Sequence, residues 1–336
     1  MIPARVIIAM LMAVAFTAIG SDKASALCSI LSANATPLTA NTGTYTPPTA
    51  PAAQPVSITI SGSFIAAVGD LAGGCRAAIS FNRATLPASM LISGGGTATL
   101  PYTLQSSSSG GNTLLYTGGG NPNDANALQF SFPASILSLD NFSVTLTVWA
   151  KAQPGAVQQA GSYSDNITIN VFTSTVAGLI QSRVSSQAFT VNGQVAKSCT
   201  IGGVTHPSAD TATIPITASG SVNTSPINRS YPNAICNTPT NVQLTSQNGA
   251  VVTSASASGL QRFIDYSALA TFSGASASLD TSSIPAINGP ESGIAAATVG
   301  ATPTGTLGVT ITPKSNTQPL IAGSYSDTLT ITLTPQ

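Results

Sequence analysis

The feature that most constrains this 336-residue chain is a motif written twice. Residues 144–172 run Val-Thr-Leu-Thr-Val-Trp-Ala-Lys, Gln153-Pro154, Gly161-Ser162-Tyr163-Ser164-Asp165, then Asn-Ile-Thr-Ile-Asn-Val-Phe. Residues 307–334 run Leu-Gly-Val-Thr-Ile-Thr-Pro-Lys, Gln318-Pro319, Gly323-Ser324-Tyr325-Ser326-Asp327, then Thr-Leu-Thr-Ile-Thr-Leu-Thr. A repeat of such long period marks two copies of one structural unit. The closing strand of each copy alternates, with Ile167, Ile169 and Val171 on one face of the first and Leu329, Ile331 and Leu333 on one face of the second. Period two puts one face in a core and the other in water.

Each residue of the motif has a structural task. Gly161 and Gly323 give the approach loop access to positive φ. Tyr163 and Tyr325 have a ring to bury and a hydroxyl to bond back to nearby backbone, the arrangement of a tyrosine corner in a sandwich. Asp165 and Asp327 are placed to accept backbone hydrogen bonds in the turn. Elsewhere the pattern stays β: short apolar runs such as Val56-Ser-Ile-Thr-Ile, Cys75-Arg-Ala-Ala-Ile-Ser-Phe and Val242-Gln-Leu lie between clusters of Gly, Pro, Asn and Ser. The chain therefore reads as all-β, with two immunoglobulin-like antiparallel sandwiches over residues 27–172 and 187–336 and a linker over 173–186. Trp149, the single tryptophan, sits in an alternating strand and reads as a core residue.

The first residues set the compartment. Arg5, an apolar run from Val6 to about Ile19, and Ala24-Ser25-Ala26 have the layout of a secretory signal over residues 1–26, and the run is too short to span a bilayer. Export makes a disulfide framework the expected use of Cys28, Cys75, Cys199 and Cys236. Four cysteines allow three connectivities, and their division between the two halves favours Cys28–Cys75 with Cys199–Cys236. No pair has the short spacing of a zinc site, so no metal is expected.

Charge and catalytic residue types narrow the function. Charged residues are 6% of the chain and the net charge is zero, which leaves no electrostatic footprint for nucleic acid or an anionic membrane. His206, the one histidine, stands beside Pro207 in a Gly/Ser-rich stretch, and no Gly-x-Ser-x-Gly elbow accompanies it. Glu291 is the one glutamate, so the paired carboxylates of glycoside hydrolysis are not evident, and Asp280-Thr281-Ser282 has no partner copy. No catalytic residue and no cofactor is expected.

The terminal Gly-Ser-Tyr-Ser-Asp-Thr-Leu-Thr-Ile-Thr-Leu strand, Cys199-Thr-Ile-Gly with Ile235-Cys236, and Leu100-Pro-Tyr-Thr-Leu matched by Phe263-Ile-Asp-Tyr-Ser-Ala-Leu resemble the spore coat protein U family. That family comprises subunits of archaic chaperone–usher pili. The resemblance implies that the second sandwich lacks its last strand. It also implies a groove, involving Leu329, Ile331, Leu333, Phe189 and Val191, filled first by a periplasmic chaperone and then by a strand from the adjacent subunit. The implied route is through the periplasm of a Gram-negative cell, past an outer-membrane usher, to the cell surface. Because only Leu27 would precede Cys28 after cleavage, the chain would accept a strand without donating one and would sit at the pilus tip as an adhesin for abiotic or host surfaces, in biofilm formation. The candidate contact residues are Tyr45, Pro47, Leu86, Met90, Leu91, Leu114, Leu115, Tyr116, Ile136 and Leu137, from apolar runs that include 133–139. The competing reading places Leu86, Ile92, Ile136 and Leu139 in the core at strand ends. A non-adhesive shaft or coat-type subunit and a carbohydrate lectin are the alternative functions.

Overall fold

The computed structural model describes residues 28–66, 75–133, 139–155, 157–175, 178–205, 207, 209–283 and 289–336. The expected export signal, and His206, lie outside them. Among the described residues the regular structure is all strand apart from two short 3-10 turns.

The first half contains β1 (Cys28–Thr36), β2 (Thr39–Tyr45), β3 (Gln54–Ala66), β4 (Cys75–Asn82), β5 (Ser89–Ile92), β6 (Thr99–Gln105), β7 (Leu115–Tyr116), β8 (Leu128–Phe132), β9 (Leu139–Ala152), β10 (Gly161–Ser174) and β11 (Ile180–Val195). One antiparallel sheet has the order β1-β3-β9-β6. The second has the order β2-β11-β10-β4, with β2 parallel to β11 and β8 and β7 extending beyond β4. β5 bonds both to β6 and to the start of β10, joining the two sheets at one side. The inner faces enclose a core of Ile58, Ile60, Phe64, Phe81, Leu100, Leu104, Ile169 and Val191, each at most 1% exposed. This is a sandwich of the immunoglobulin kind.

The second half contains β12 (Cys199–Ile201), β13 (Ile227–Cys236), β14 (Thr240–Ser246), β15 (Val251–Val252), β16 (Phe263–Ile264), β17 (Tyr266–Phe272), β18 (Ala275–Asp280), β19 (Glu291–Ser292), β20 (Ala296–Ala297), β21 (Thr304–Pro313) and β22 (Leu329–Pro335). The order β12-β13-β21-β17 repeats β1-β3-β9-β6, with β18 added at the edge. Opposite it, β22 pairs antiparallel with β14 as β10 pairs with β4. The core here is smaller, built from Val242, Leu244, Tyr266, Phe272, Leu279, Leu307 and Val309 with several alanines.

Both expected disulfides form, but they are wired differently. Cys28 on β1 reaches Cys75 on β4 in the other sheet, whereas Cys199 and Cys236 face each other on the adjacent strands β12 and β13.

Three expectations need correction. Residues 173–186 are not a linker. β10 runs to Ser174, a turn closed by the Thr175 amide on Leu179 O reverses the chain, and β11 returns along the whole of β10. Phe189 and Val191 are accordingly core residues of the first domain, at 1% and 0% exposure, and not part of a groove on the second. The connection between domains is the short segment Ala196–Ser198. Trp149 points away from the core: its neighbours Val148 and Ala150 face inward at 1% and 0%, and Trp149 lies half-buried on the outer face beside Pro55 and Gln105.

Candidate functional site

The repeated motif has the same local build in both domains. The Tyr163 hydroxyl donates to Gln159 O at 2.6 Å and the Tyr325 hydroxyl to Ile321 O at 2.9 Å, four residues upstream in each case. Gly161 has φ +149° and stands against Ile92, so a side chain there would be strained and crowded. The aspartates bond mainly to side chains rather than to turn backbone. Asp165 accepts from Arg83 Nε at 2.5 Å and Tyr102 OH at 2.8 Å. Asp327 accepts from Tyr266 OH and Ser246 Oγ, each at 2.6 Å, and from the Asn248 amide at 3.0 Å. Burial, then the neighbouring carboxylate, raises the Tyr102 and Tyr266 phenols well above the ordinary tyrosine value, so both remain protonated donors.

Beyond this motif the domains diverge, and the divergence defines the site. β10 is paired on both edges, by β11 along its length and by β4 and β5 on the other side. Its inward residues Ile167, Ile169 and Val171 are 4%, 1% and 1% exposed. β22 is paired by β14 alone, and no described strand lies on its other edge. Its inward residues Leu329, Ile331 and Leu333 pack on the second core yet stay half-buried, as do Ile201, Tyr231 and Ile311 around them. In the first domain β11 packs against both β1 and β10; in the second, β12 and β22 approach each other with no described strand between them.

β11 also displays what such a space requires. Phe189 faces Ile167, Val191 faces Asp165 and Gly193 faces Tyr163. A β-carbon on Gly193 would lie 2.7 Å from Thr42 Oγ1 and 2.8 Å from Met90 Cε, so a side chain beside the buried tyrosine would require both neighbours to shift.

The proposed contact residues scatter. Leu86 and Leu91 are exposed, at 46% and 56%, and Pro47 lines a cavity at the domain junction. Tyr45, Met90, Leu114, Leu115 and Tyr116 are buried. The apolar runs read as loops contain β5 and β7, from which Met90, Leu115 and Tyr116 turn into the fold while Leu91 stays outside. Ile136 and Leu137 lie outside the described residues. Sequence reading named Leu139, at the end of the run 133–139, but missed that Leu31 and Ile65 join it in a cluster at the end of the first domain away from the Ala196–Ser198 connection. Ile65 and Leu139 are register partners on β3 and β9, and Leu31 sits in the bulge of β1 beside them, all 40% exposed or more. Leu31 and Ile65 break an otherwise regular inward alternation, and that was the available signal. Leu86 and Leu91 belong to the opposite half, because Leu91 pairs with Ser164 near the start of β10.

No group of three or more metal-ligating side chains occurs among the described residues, and none of their helices is long and apolar enough to cross a membrane.

The sequence matches no family model and no curated protein. Among solved structures, the chain is similar to a chain of the CsuC–CsuE chaperone–tip subunit pre-assembly complex from archaic chaperone–usher Csu pili of Acinetobacter baumannii. That match has 14% identity over 92% of this chain and 100% of that one, with a TM-score of 0.36. The CupB6 tip adhesin of Pseudomonas aeruginosa is similar at 12% identity over 92% and 95%, with a TM-score of 0.32. The CooA pilin subunit of enterotoxigenic Escherichia coli matches 49% of this chain and 99% of its own, at 12% identity and a TM-score of 0.32.

Proposed function

We propose that this chain is a surface subunit of a chaperone–usher pilus, without enzymatic activity, whose second domain accepts a strand from a partner. The observation that carries the reading is internal. One repeated strand is sealed by β11 in the first domain and left with a bare edge and a half-covered apolar face in the second. An exposed apolar edge is an aggregation hazard unless another strand covers it, and strand addition is a known mode of recognition. A periplasmic chaperone, an outer-membrane usher and a neighbouring subunit are the partners this reading calls for, with transit through the periplasm to the cell surface.

The first domain is sealed by its own chain, and Cys28 at the start of β1 is bonded to Cys75, so none of its described strands is free to be donated. That supports a place at the pilus tip. The exposed trio Leu31, Ile65 and Leu139 at its far end supports attachment to apolar surfaces, and so a role in biofilm formation. A non-adhesive structural subunit is the second reading, favoured by the burial of Tyr45, Met90, Leu114, Leu115 and Tyr116.

Appending a copy of residues 185–195 after Gln336 through a flexible linker tests strand acceptance. The capped chain is expected to lose affinity for its chaperone while the uncapped chain retains it. Equal behaviour of the two chains refutes the reading. For adhesion, converting Leu31, Ile65 and Leu139 to serine is expected to cut retention on polystyrene by about tenfold if their burial supplies the contact energy. Unchanged retention favours the non-adhesive subunit.

A further inference from the structure

Three buried polar residues, Gln158, Thr200 and Asn237, line the cavity where the domains meet, and Asn237 leads directly into a hydrogen-bonded buried trio, Thr238, Thr240 and Thr298. Asn237, 3% exposed, is the centre of the group. Its Oδ1 accepts from the Ser198 amide at 2.8 Å, its Nδ2 donates to Ala196 O at 2.7 Å, and its carbonyl accepts from the Ala160 amide of the first domain at 2.7 Å. The Ala196 amide in turn donates to Tyr45 O at 2.8 Å. Beside these bonds a cavity of about 250 Å³ remains between the domains, lined by Tyr45, Pro47, Val157 and Gln158 on one side and Thr200 and Ile235 on the other.

The next two residues tie this clasp to the open edge. Thr238 Oγ1 donates to Gln336 O at 2.7 Å, and the Gln336 amide donates to Pro239 O at 2.8 Å, so the residue following β22 is fastened beside Asn237. Cys236, immediately before Asn237, is fixed by its disulfide to Cys199 just past the connection. β22 itself is bonded along one edge with its apolar face half-covered, the condition in which a strand opens locally more readily than a fully paired one.

We propose that the segment Cys236–Thr240 couples the two events: docking of a strand on β22 tightens the Asn237 clasp and fixes the angle between the domains. The coupling rests on the strand-accepting reading above. With the edge vacant, opening of β22 releases Gln336 from Thr238 and Pro239 and loosens the segment carrying Asn237. With the edge filled, that opening is suppressed and the junction bonds persist.

Amide hydrogen exchange on the whole chain, with and without a synthetic peptide of residues 185–195, tests this in one measurement. Protection of β22 reports docking. Protection of the Ala160, Ala196 and Ser198 amides reports the clasp. Docking is expected to slow exchange at these three amides by about tenfold. In a chain shortened to Pro335, and in Asn237→Ala, the peptide still protects β22 but the junction amides no longer respond; protection of β22 in both variants shows that the second domain is folded. Protection of β22 with unchanged junction amides in the full chain, or an undiminished response in the shortened chain, overturns the coupling and leaves strand acceptance standing. Absence of β22 protection overturns strand acceptance and the coupling with it.

Discussion

Asp165 bonds to Arg83 and Tyr102, and Asp327 to Ser246, Asn248 and Tyr266, although both follow the same Gly-Ser-Tyr-Ser. The shared partner is a tyrosine from the mid-domain strand, and only the first domain adds an ion pair. That pair is well enclosed, with side chains 17% and 15% exposed, and Arg83 also donates to Thr85 and Ser89 carbonyls. Arg83→Ala leaves a carboxylate short of a partner and frees the segment before β5. The expected cost is about 2–3 kcal/mol in urea unfolding, below the full penalty of a broken buried pair because water reaches both groups. The same measurement on Lys314→Ala, whose pair with Asp280 is far more exposed, is expected to show about 0–1 kcal/mol. The aspartates were visible from the sequence as turn residues. Their side-chain donors were not, because Arg83, Tyr102 and Ser246 lie at least 60 residues away in the chain, and the match between the Tyr102 and Tyr266 segments does not say what either hydroxyl bonds.

Strands β10 and β22 carry the same alternation in different settings, which makes equivalent substitutions informative. Ile169→Ala removes a fully enclosed side chain and is expected to cost about 2–5 kcal/mol. Ile331→Ala removes a half-covered one and is expected to cost about half as much in the chain alone, approaching the Ile169 value when the residue 185–195 peptide is present. Chemical denaturation of each variant with and without peptide checks both figures. The alternating apolar residues made β10 and β22 legible in the sequence, and with them the all-β class. β11 was hidden because Gln181, Ser182, Arg183, Ser185, Ser186 and Gln187 give its first half the composition of a linker. That half is held as strand by ladder bonds to β10 rather than by its own apolar face. Its second half, with Phe189 and Val191, alternates clearly but could be assigned to either neighbouring domain. Local pattern identifies a strand, and only distant pairing decides which sheet it joins.

At the scale of the whole molecule, two units of common design differ in how they are closed. The first has its last strand, a larger core and a disulfide between its sheets; the second has a bare edge, an alanine-rich core and a disulfide between adjacent strands. The difference lies in what covers the repeated strand: β11 returns along β10 in the first domain, and among the described strands only β14 pairs with β22 in the second. β11 also leads directly into the connection between the domains, and this gives it a mechanical role. A pull applied through the second domain enters the first at Val195 and runs along the axis of β11. Its ladder bonds to β10 lie across that axis, so the load falls on the whole sixteen-residue strand at once instead of peeling it pair by pair. In single-molecule pulling, the first domain is therefore expected to yield at higher force than the second, whose repeated strand is bonded on one edge only. The strand that seals the first domain also anchors the molecule under tension.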